Sequence, residues 1–204
     1  MSNVGLLYVG AVLFVNGIML LGKIDSKSAG IFNLFVGALQ VFTPIYLIVT
    51  SNGDSWIIFS ASGLFLFGFT YLYVGISNLT NASNSGIGYY SLWVAILAIG
   101  FASVNFFHFK DIPFTIIWLM WSFLWTLFYL LLAKEKNIGL YTGWVAIIQS
   151  WITATIPAFL SLTGIWQQIN SSLLTTIEIV FFISFFILFP FHKKRINSTS
   201  NLKL

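Results

Sequence analysis

The side chains with the clearest chemical meaning are four aromatic residues in one apolar run: Phe114, Trp118, Trp121 and Trp125. Their spacing of four, three and four places them within roughly a 60° wedge of a helix, so that one face becomes a ladder of rings. Such a face suits a flat, neutral, polar solute, which stacks on the rings while its edges bond N–H and O–H groups. The ladder predicts a path for a solute of this kind. Simple packing is the alternative explanation.

Two observations favour the path over packing. Trp118 and Trp121 lie in the middle of their run, away from the interfaces where membrane tryptophans are common, and close-packed membrane helices favour small residues instead. Two other apolar runs also carry stripes at helical spacing. Their residues are Leu6, Val9, Leu13 and Asn16 in the first run, and Phe69 and Tyr73 in the third.

The elements that must position these side chains are membrane-spanning helices. Hydrophobic residues make up 58% of the 204 residues and charged residues only 7%, whereas a soluble domain carries about 25% charge. A spanning helix needs about 20 mostly apolar residues, and seven such runs are visible. They cover residues 4–21, 29–49, 56–77, 89–107, 113–133, 140–162 and 173–191. The short breaks between them predict a compact antiparallel bundle.

The basic residues predict the direction of the spans. With the N-terminus outside, only Lys110 of the nine cationic residues faces outward, as the positive-inside rule requires. The remaining eight would be cytoplasmic: Lys23, Lys27, Lys134, Lys136, Lys193, Lys194, Arg195 and Lys203. The net charge of +4 therefore orients helices and does not indicate a nucleic-acid partner.

Several function classes find no support in the sequence. There is no cysteine, neither histidine lies in a span, no pair of acids lies within the spans, and no HExxH motif is present. We therefore predict neither an enzyme nor a metal site or cofactor. Glu178 is the only acid within a span and is a functional candidate for that reason. It could equally reach the outer interface or be protonated against a neighbouring helix.

Six ordered sequence blocks resemble the AmiS/UreI family of acid-gated urea channels and short-chain amide transporters. The blocks are LLYVGAVLFVNGI (6–18), KIDSKSAGIFNLFVGAL (23–39), GLFLFGFTYLYVGISN (63–78), YYSLWVAI (89–96), IIWLMWSFLW (116–125) and GWVAIIQSWITATIPAFL (143–160). The resemblance implies a six-helix twisted bundle of three helical hairpins (residues 1–163) around a narrow pore. It also implies a homohexamer with one pore in each protomer.

The resemblance also implies which residues line the path, and these include both stripes found by spacing. The implied set is Leu6, Val9, Leu13, Asn16, Phe69, Tyr73, Phe114, Trp118, Trp121, Leu124 and Trp125.

Three departures from the family pattern alter the expectations. Gln149 stands where the urea channels carry a glutamate. Glutamine keeps an acceptor, adds donors and lacks the charge, so we expect Gln149 to form hydrogen bonds to simple amides near the outer mouth. His108, near Asp111, is the only outer-side histidine, so we expect weak acid gating or none. His108 and Glu178 are the candidate pH-sensitive groups. Residues 164–191 add an outer loop and a seventh transmembrane helix, and residues 192–204 form a basic cytoplasmic tail.

The sequence thus predicts a passive channel for small neutral amides such as urea, acetamide and formamide in a bacterial cytoplasmic membrane. A proton-coupled amide or urea transporter that uses Glu178 is the alternative. The resemblance suggests a cytoplasmic urease or amidase as partner.

Overall fold

A computed structural model describes the backbone of residues 2–200 and the side chains of residues 2–187. These residues are almost entirely helical. The α-helices are α1 (Ser2–Leu20), α2 (Ser26–Val49), α3 (Ser55–Thr80), α4 (Ser85–Val104), α5 (Ile112–Leu132), α6 (Gly139–Gln149), α7 (Ile156–Leu162) and α8 (Ser171–Ser200). A π-helical turn, Asn105–Phe109, extends α4, and a second, Ser150–Thr155, joins α6 to α7.

Six segments of the described chain are long and apolar enough to cross a membrane. They are α1, α2, α3, α4 with its π turn (Ser85–Phe109), α5, and the continuous segment Gly139–Leu162. This confirms the first six predicted spans and an all-α, multi-pass membrane protein.

Acidic residues begin three of these helices. The carboxylates of Asp25, Asp54 and Asp111 each accept backbone N–H groups in the first turn of α2, α3 and α5. Such caps satisfy donors that have no partner within the helix. They also explain why these three acids lie in the breaks between apolar runs.

The spans associate in three pairs. Two of them, α2–α3 and α4–α5, are hairpins of consecutive helices. A Cβ added at Gly75 of α3 would lie 2.9 Å from the carbonyl oxygen of Gly30 in α2, so the two backbones pack closely. Small residues permit this approach, which is the usual means of helix association in membranes.

The third pair joins the first span to the sixth rather than to a sequence neighbour. A Cβ at Gly10 would lie 2.9 Å from the carbonyl oxygen of Ser150, so α1 crosses the sixth span at its π turn. Pro157 follows that turn. Because proline has no N–H and its ring crowds the preceding turn, it favours the break in regular α-helix.

The last helix packs on α5 and α6. Phe185 of α8 is fully buried and lies parallel to Phe123 at 6.2 Å, and the Tyr141 hydroxyl donates to the Phe185 carbonyl at 2.7 Å. The described apolar stretch, Ser171–Ile187, is shorter than a complete crossing. The seventh span stays a prediction, and the basic side chains of residues 192–204 lie outside those described.

Candidate functional site

Two cavities of similar size open inside the six-span bundle. The Ser2-side cavity, of about 380 Å³, lies at the end of the bundle where α1 begins and α5 starts with Asp111. The Asn84-side cavity, of about 370 Å³, lies at the opposite end, where α1 finishes and α4 begins. Each is large enough for a molecule of a few heavy atoms.

Aromatic rings separate the two cavities. Phe67 of α3 and Trp121 of α5 line both of them. The two rings meet edge to face with centroids 4.8 Å apart, and Phe67 lies at the same distance from Trp125. Trp118 packs edge to face on Trp121 at 4.9 Å and lines only the Ser2-side cavity, while Trp125 lines only the Asn84-side cavity. The fifth-span ladder therefore runs from one cavity into the other.

The predicted stripe of α1 faces the axis that runs through the two cavities. Leu6 and Val9 line the Ser2-side cavity, and Leu13 and Asn16 line the Asn84-side cavity. Of the remaining predicted lining residues, Phe114 lines the Ser2-side cavity and Leu124 the Asn84-side cavity. The structure thus brings together nine of the predicted residues, all from α1 and α5.

Trp121 is held in one orientation by its own N–H. The indole Nε1 donates to the Thr153 hydroxyl at 2.8 Å, and that hydroxyl donates to the Gln149 carbonyl at 2.7 Å. Thr153 belongs to the π turn, which places its hydroxyl toward α5. Because the N–H of Trp121 is occupied, this residue offers a solute its ring and no donor.

Asn16 provides hydrogen-bonding capacity just beyond the rings. Its amide pairs reciprocally with the amide of Asn33, through bonds of 3.0 and 2.6 Å, and Asn33 also donates to the Ala29 carbonyl. Both N–H groups of Asn33 are therefore used. Asn16 keeps a second N–H and a second lone pair, held at the wall of the Asn84-side cavity.

The third span enters the site in a different register from the prediction. Phe69 and Tyr73 are 49% and 39% exposed and line neither cavity. The lining stripe of α3 is instead Phe67, Tyr71, Val74 and Asn78. Its spacing of four, three and four is the same as in the fifth-span ladder, but the alternating aromatic residues of this span offer more than one stripe at that spacing.

Gln149 also lies away from both cavities. It is fully buried, and its Nε2 donates to the Met120 carbonyl at 2.9 Å, while its Oε1 has no partner among the described residues. The residue therefore joins the fifth and sixth spans outside both cavities, whereas the sequence predicted that it would lie near an outer mouth.

The two candidate pH-sensitive groups lie at the Ser2-side end. His108 is exposed and stacks on Trp56 at 3.6 Å with an interplanar angle of 19°. Glu178 is 3% exposed, and one of its carboxylate oxygens has no partner among the described residues. It lies close enough to Asp111 for the two carboxyl groups to interact electrostatically.

The cavity walls carry almost no charge. Among the described residues, no Asp, Glu, His, Lys or Arg lines the Asn84-side cavity, and Asp111 is the single charged residue lining the Ser2-side cavity. An unpaired ion in a low-dielectric site costs on the order of tens of kcal/mol, whereas a neutral polar group costs a few. The walls therefore favour neutral solutes over ions. Within the described residues, no group of metal-ligating side chains comes together.

Comparison with known proteins identifies the family. The sequence model of the family described as AmiS/UreI family transporter matches residues 1–165. Transporter protein AmiS2 of Rhodococcus erythropolis is 54% identical over 165 residues, 80% of each chain. An amidate substrates transporter of Mycolicibacterium smegmatis is 49% identical over 168 residues, which is 82% of this chain and 79% of that protein.

A solved structure agrees with the sequence comparisons. The crystal structure of the urea channel from the human gastric pathogen Helicobacter pylori superposes with a TM-score of 0.74 at 34% identity. The match covers 81% of this chain and 99% of the channel. Because the family model, the relatives and the shared fold all agree, this chain belongs to the AmiS/UreI family of transporters.

Proposed function

We propose that this protein is a passive channel for small neutral amides, including urea, acetamide and formamide, with its path inside the single protomer. The observation that most strongly supports this proposal is the pair of cavities with few charged residues at opposite ends of the bundle, which the Phe67–Trp121 contact divides. The relatives named for transport of amidate substrates and of urea support this class of solute.

The order of side chains along the axis gives the mechanism. A planar solute enters the Ser2-side cavity, loses water, and passes between the rings of Trp118, Phe67 and Trp121. Ring faces stabilise its π-system without demanding a fixed hydrogen-bond direction. Beyond the rings, the free donor and acceptor of Asn16 offset part of the lost hydration, since an amide needs only a few hydrogen bonds to recover the cost.

The charge distribution and the family membership support an orientation and an assembly. With the Ser2-side cavity facing outward, Lys23, Lys27, Lys134 and Lys136 lie on the cytoplasmic side of a bacterial cytoplasmic membrane. We further propose a homohexamer with one path in each protomer, serving a cytoplasmic urease or amidase.

Gating by acid is weak in this proposal. His108 is the one histidine on the outer side of the described chain, and it stacks on Trp56 at the edge of the Ser2-side cavity instead of lining it. A single peripheral imidazole supplies little electrostatic energy to close an aromatic constriction.

Glu178 supports one alternative function, a proton-coupled transporter, because it is buried with an unpartnered oxygen and lies near Asp111 at the Ser2-side mouth. Coupling would require proton movement through this pair during each transport cycle.

Stopped-flow permeability of reconstituted liposomes tests the proposal. We expect acetamide and urea to equilibrate faster than in protein-free liposomes, to the same end point with or without a pH gradient, and with similar rates at pH 5 and pH 7. Glu178→Gln should retain the flux. Accumulation above the external concentration that depends on a pH gradient, and that Glu178→Gln abolishes, would instead establish the coupled transporter.

A further inference from the structure

One buried glutamine in the pathway wall has hydrogen-bonding capacity that the protein does not use. Gln40 of α2 is 1% exposed, and neither Nε2 nor Oε1 has a partner among the described residues. Buried side-chain amides are nearly always bonded, because an unpaired donor or acceptor retains the full cost of its lost hydration. An unused carboxamide at membrane depth therefore indicates a ligand that the protein itself does not contain.

Both amide atoms are covered in this structure, so a ligand reaches them when the Gln40 side chain turns toward the adjoining cavity. Gln40 lines the Ser2-side cavity together with Leu6 and Val9 of α1. Its Oε1 lies directly against Gly5, where any added Cβ would collide with the oxygen. The missing side chain at Gly5 makes room for the amide between α1 and α2, beside the cavity and on the Ser2 side of the aromatic rings.

From this geometry we infer that Gln40 is a binding station for the carboxamide group of the solute, on the approach to the ring constriction. This inference rests on the proposed function and adds a site to it. A glutamine amide presents an acceptor and a donor side by side on one plane. A primary amide or urea presents the same pair, so the two planar groups join through two antiparallel N–H···O bonds.

The same geometry predicts which solutes the station rejects. In N-methylacetamide the N–H and the C=O lie on opposite sides of the trans amide bond, so this molecule makes one bond to Gln40 instead of two. Ions gain little, because a neutral amide cannot compensate their lost hydration. The station thus distinguishes primary amides and urea from substituted amides before either reaches Phe67.

Gln149 provides a matched control within the same chain. It is also a buried glutamine with an unpartnered Oε1, yet it donates to the Met120 carbonyl and lines neither cavity. Replacing it removes a buried amide of the same size without touching the pathway.

The experiment compares liposome permeabilities for acetamide and N-methylacetamide in the parent protein, Gln40→Leu, Gln40→Met and Gln149→Met, each corrected for protein-free liposomes. We expect the acetamide to N-methylacetamide ratio to fall about fivefold in both Gln40 variants, the factor that one net hydrogen bond of ordinary strength provides. The ratio should be unchanged in Gln149→Met.

An unchanged ratio in the Gln40 variants would overturn the station, because a tightly bound water would then be the partner of the amide. If the parent itself raises no acetamide permeability, the proposed function fails instead. The two failures are therefore distinct.

A second measurement uses the unsubstituted protein, should the Gln40 variants not fold. Gln167 and Gln168 are exposed, so in protein labelled with ¹⁵N on glutamine side chains alone, the amide signals protected from solvent belong to Gln40 and Gln149, and Gln149→Met assigns them. Acetamide should shift the Gln40 signal saturably while N-methylacetamide shifts it several times less. No shift with either solute would overturn the inference.

Discussion

The indole Nε1 of Trp121 donates a 2.8 Å hydrogen bond to the hydroxyl of Thr153, which connects the ring constriction to the π turn of the sixth span. Without that acceptor, a buried indole N–H would have no partner and the ring could change its orientation. The sixth span therefore sets the shape of a constriction whose rings come from the third and fifth.

Thr153→Val tests this connection with a side chain of nearly equal size. Loss of the acceptor should lower the free energy of unfolding by about 1–3 kcal/mol and change the permeability to acetamide. Thermal unfolding in detergent and stopped-flow uptake measure the two effects. Thr126→Val is the control, because its hydroxyl bonds only the Ser122 carbonyl of its own helix. Equal effects of both substitutions would remove the special role of Thr153.

The register of the third span makes a second prediction. Phe67→Leu shortens the side chain shared by both cavities, so a bulkier amide such as butyramide should pass about tenfold faster, which corresponds to about 1.4 kcal/mol of barrier. Phe69→Leu alters a half-exposed ring that lines neither cavity, and should leave the acetamide to butyramide ratio unchanged. A larger effect of Phe69→Leu would restore the register expected from the sequence.

The hydrogen-bonded pair of Asn16 and Asn33 leads to a third prediction. Asn33→Leu leaves the Asn16 amide without its buried partner and should destabilise the protein by about 1–3 kcal/mol. The double substitution Asn16→Leu with Asn33→Leu should cost less than the sum of the single ones, because it leaves no unpaired amide. A thermal-unfolding cycle over the four proteins measures the coupling. Strict additivity would contradict the pair.

The cap of α2 gives a pH-dependent prediction. The Ser28 hydroxyl at 2.6 Å, and then the Ser28 backbone N–H at 2.9 Å, hold the pKa of Asp25 below its ordinary value of 3.8. A lowered folded-state pKa means that the cap stabilises the protein above that ordinary value, and that this contribution is lost as the pH falls through the folded-state pKa.

Ser28→Ala should raise the pKa of Asp25 without restoring it fully, because the backbone N–H bond remains. A ¹³C carboxyl titration by NMR measures the shift. An identical titration midpoint in the parent and the variant would contradict the bond from the hydroxyl.

Part of the site followed from sequence pattern because helix spacing alone determines which residues share a face. The ladder of α5 and the stripe of α1 each contain one strong helical period, and the structure places both along the two cavities. The six spans likewise followed from hydropathy and length.

The third span could not be assigned in this way because its aromatic residues alternate along the sequence. They stand at Phe65, Phe67, Phe69, Tyr71 and Tyr73. Any pair four apart makes a plausible stripe, and only packing selects among them. A Cβ at Gly68 would lie 2.9 Å from the Gln40 carbonyl oxygen, which turns that side of α3 toward α2 and leaves Phe67 and Tyr71 toward the axis.

Gln149 shows a different limit. Its role depends on the Met120 carbonyl, a backbone group in another span, and no pattern of side chains reveals which carbonyls face which amides. The same holds for the pairing of the first span with the sixth, which depends on tertiary packing rather than on sequence order.

The π turn at Ser150–Thr155 also bears on how this protein can be recombined with its relatives. Each π turn adds one residue to a helix and rotates everything beyond it by about 100°. A chimera whose junction inside the turn removes its extra residue would present a different face of Ile156–Leu162 to the first span. A chimera joined before Gly139 or after Leu162 would exchange the whole segment. The helical parts before and after the π turn would then keep their rotation relative to each other.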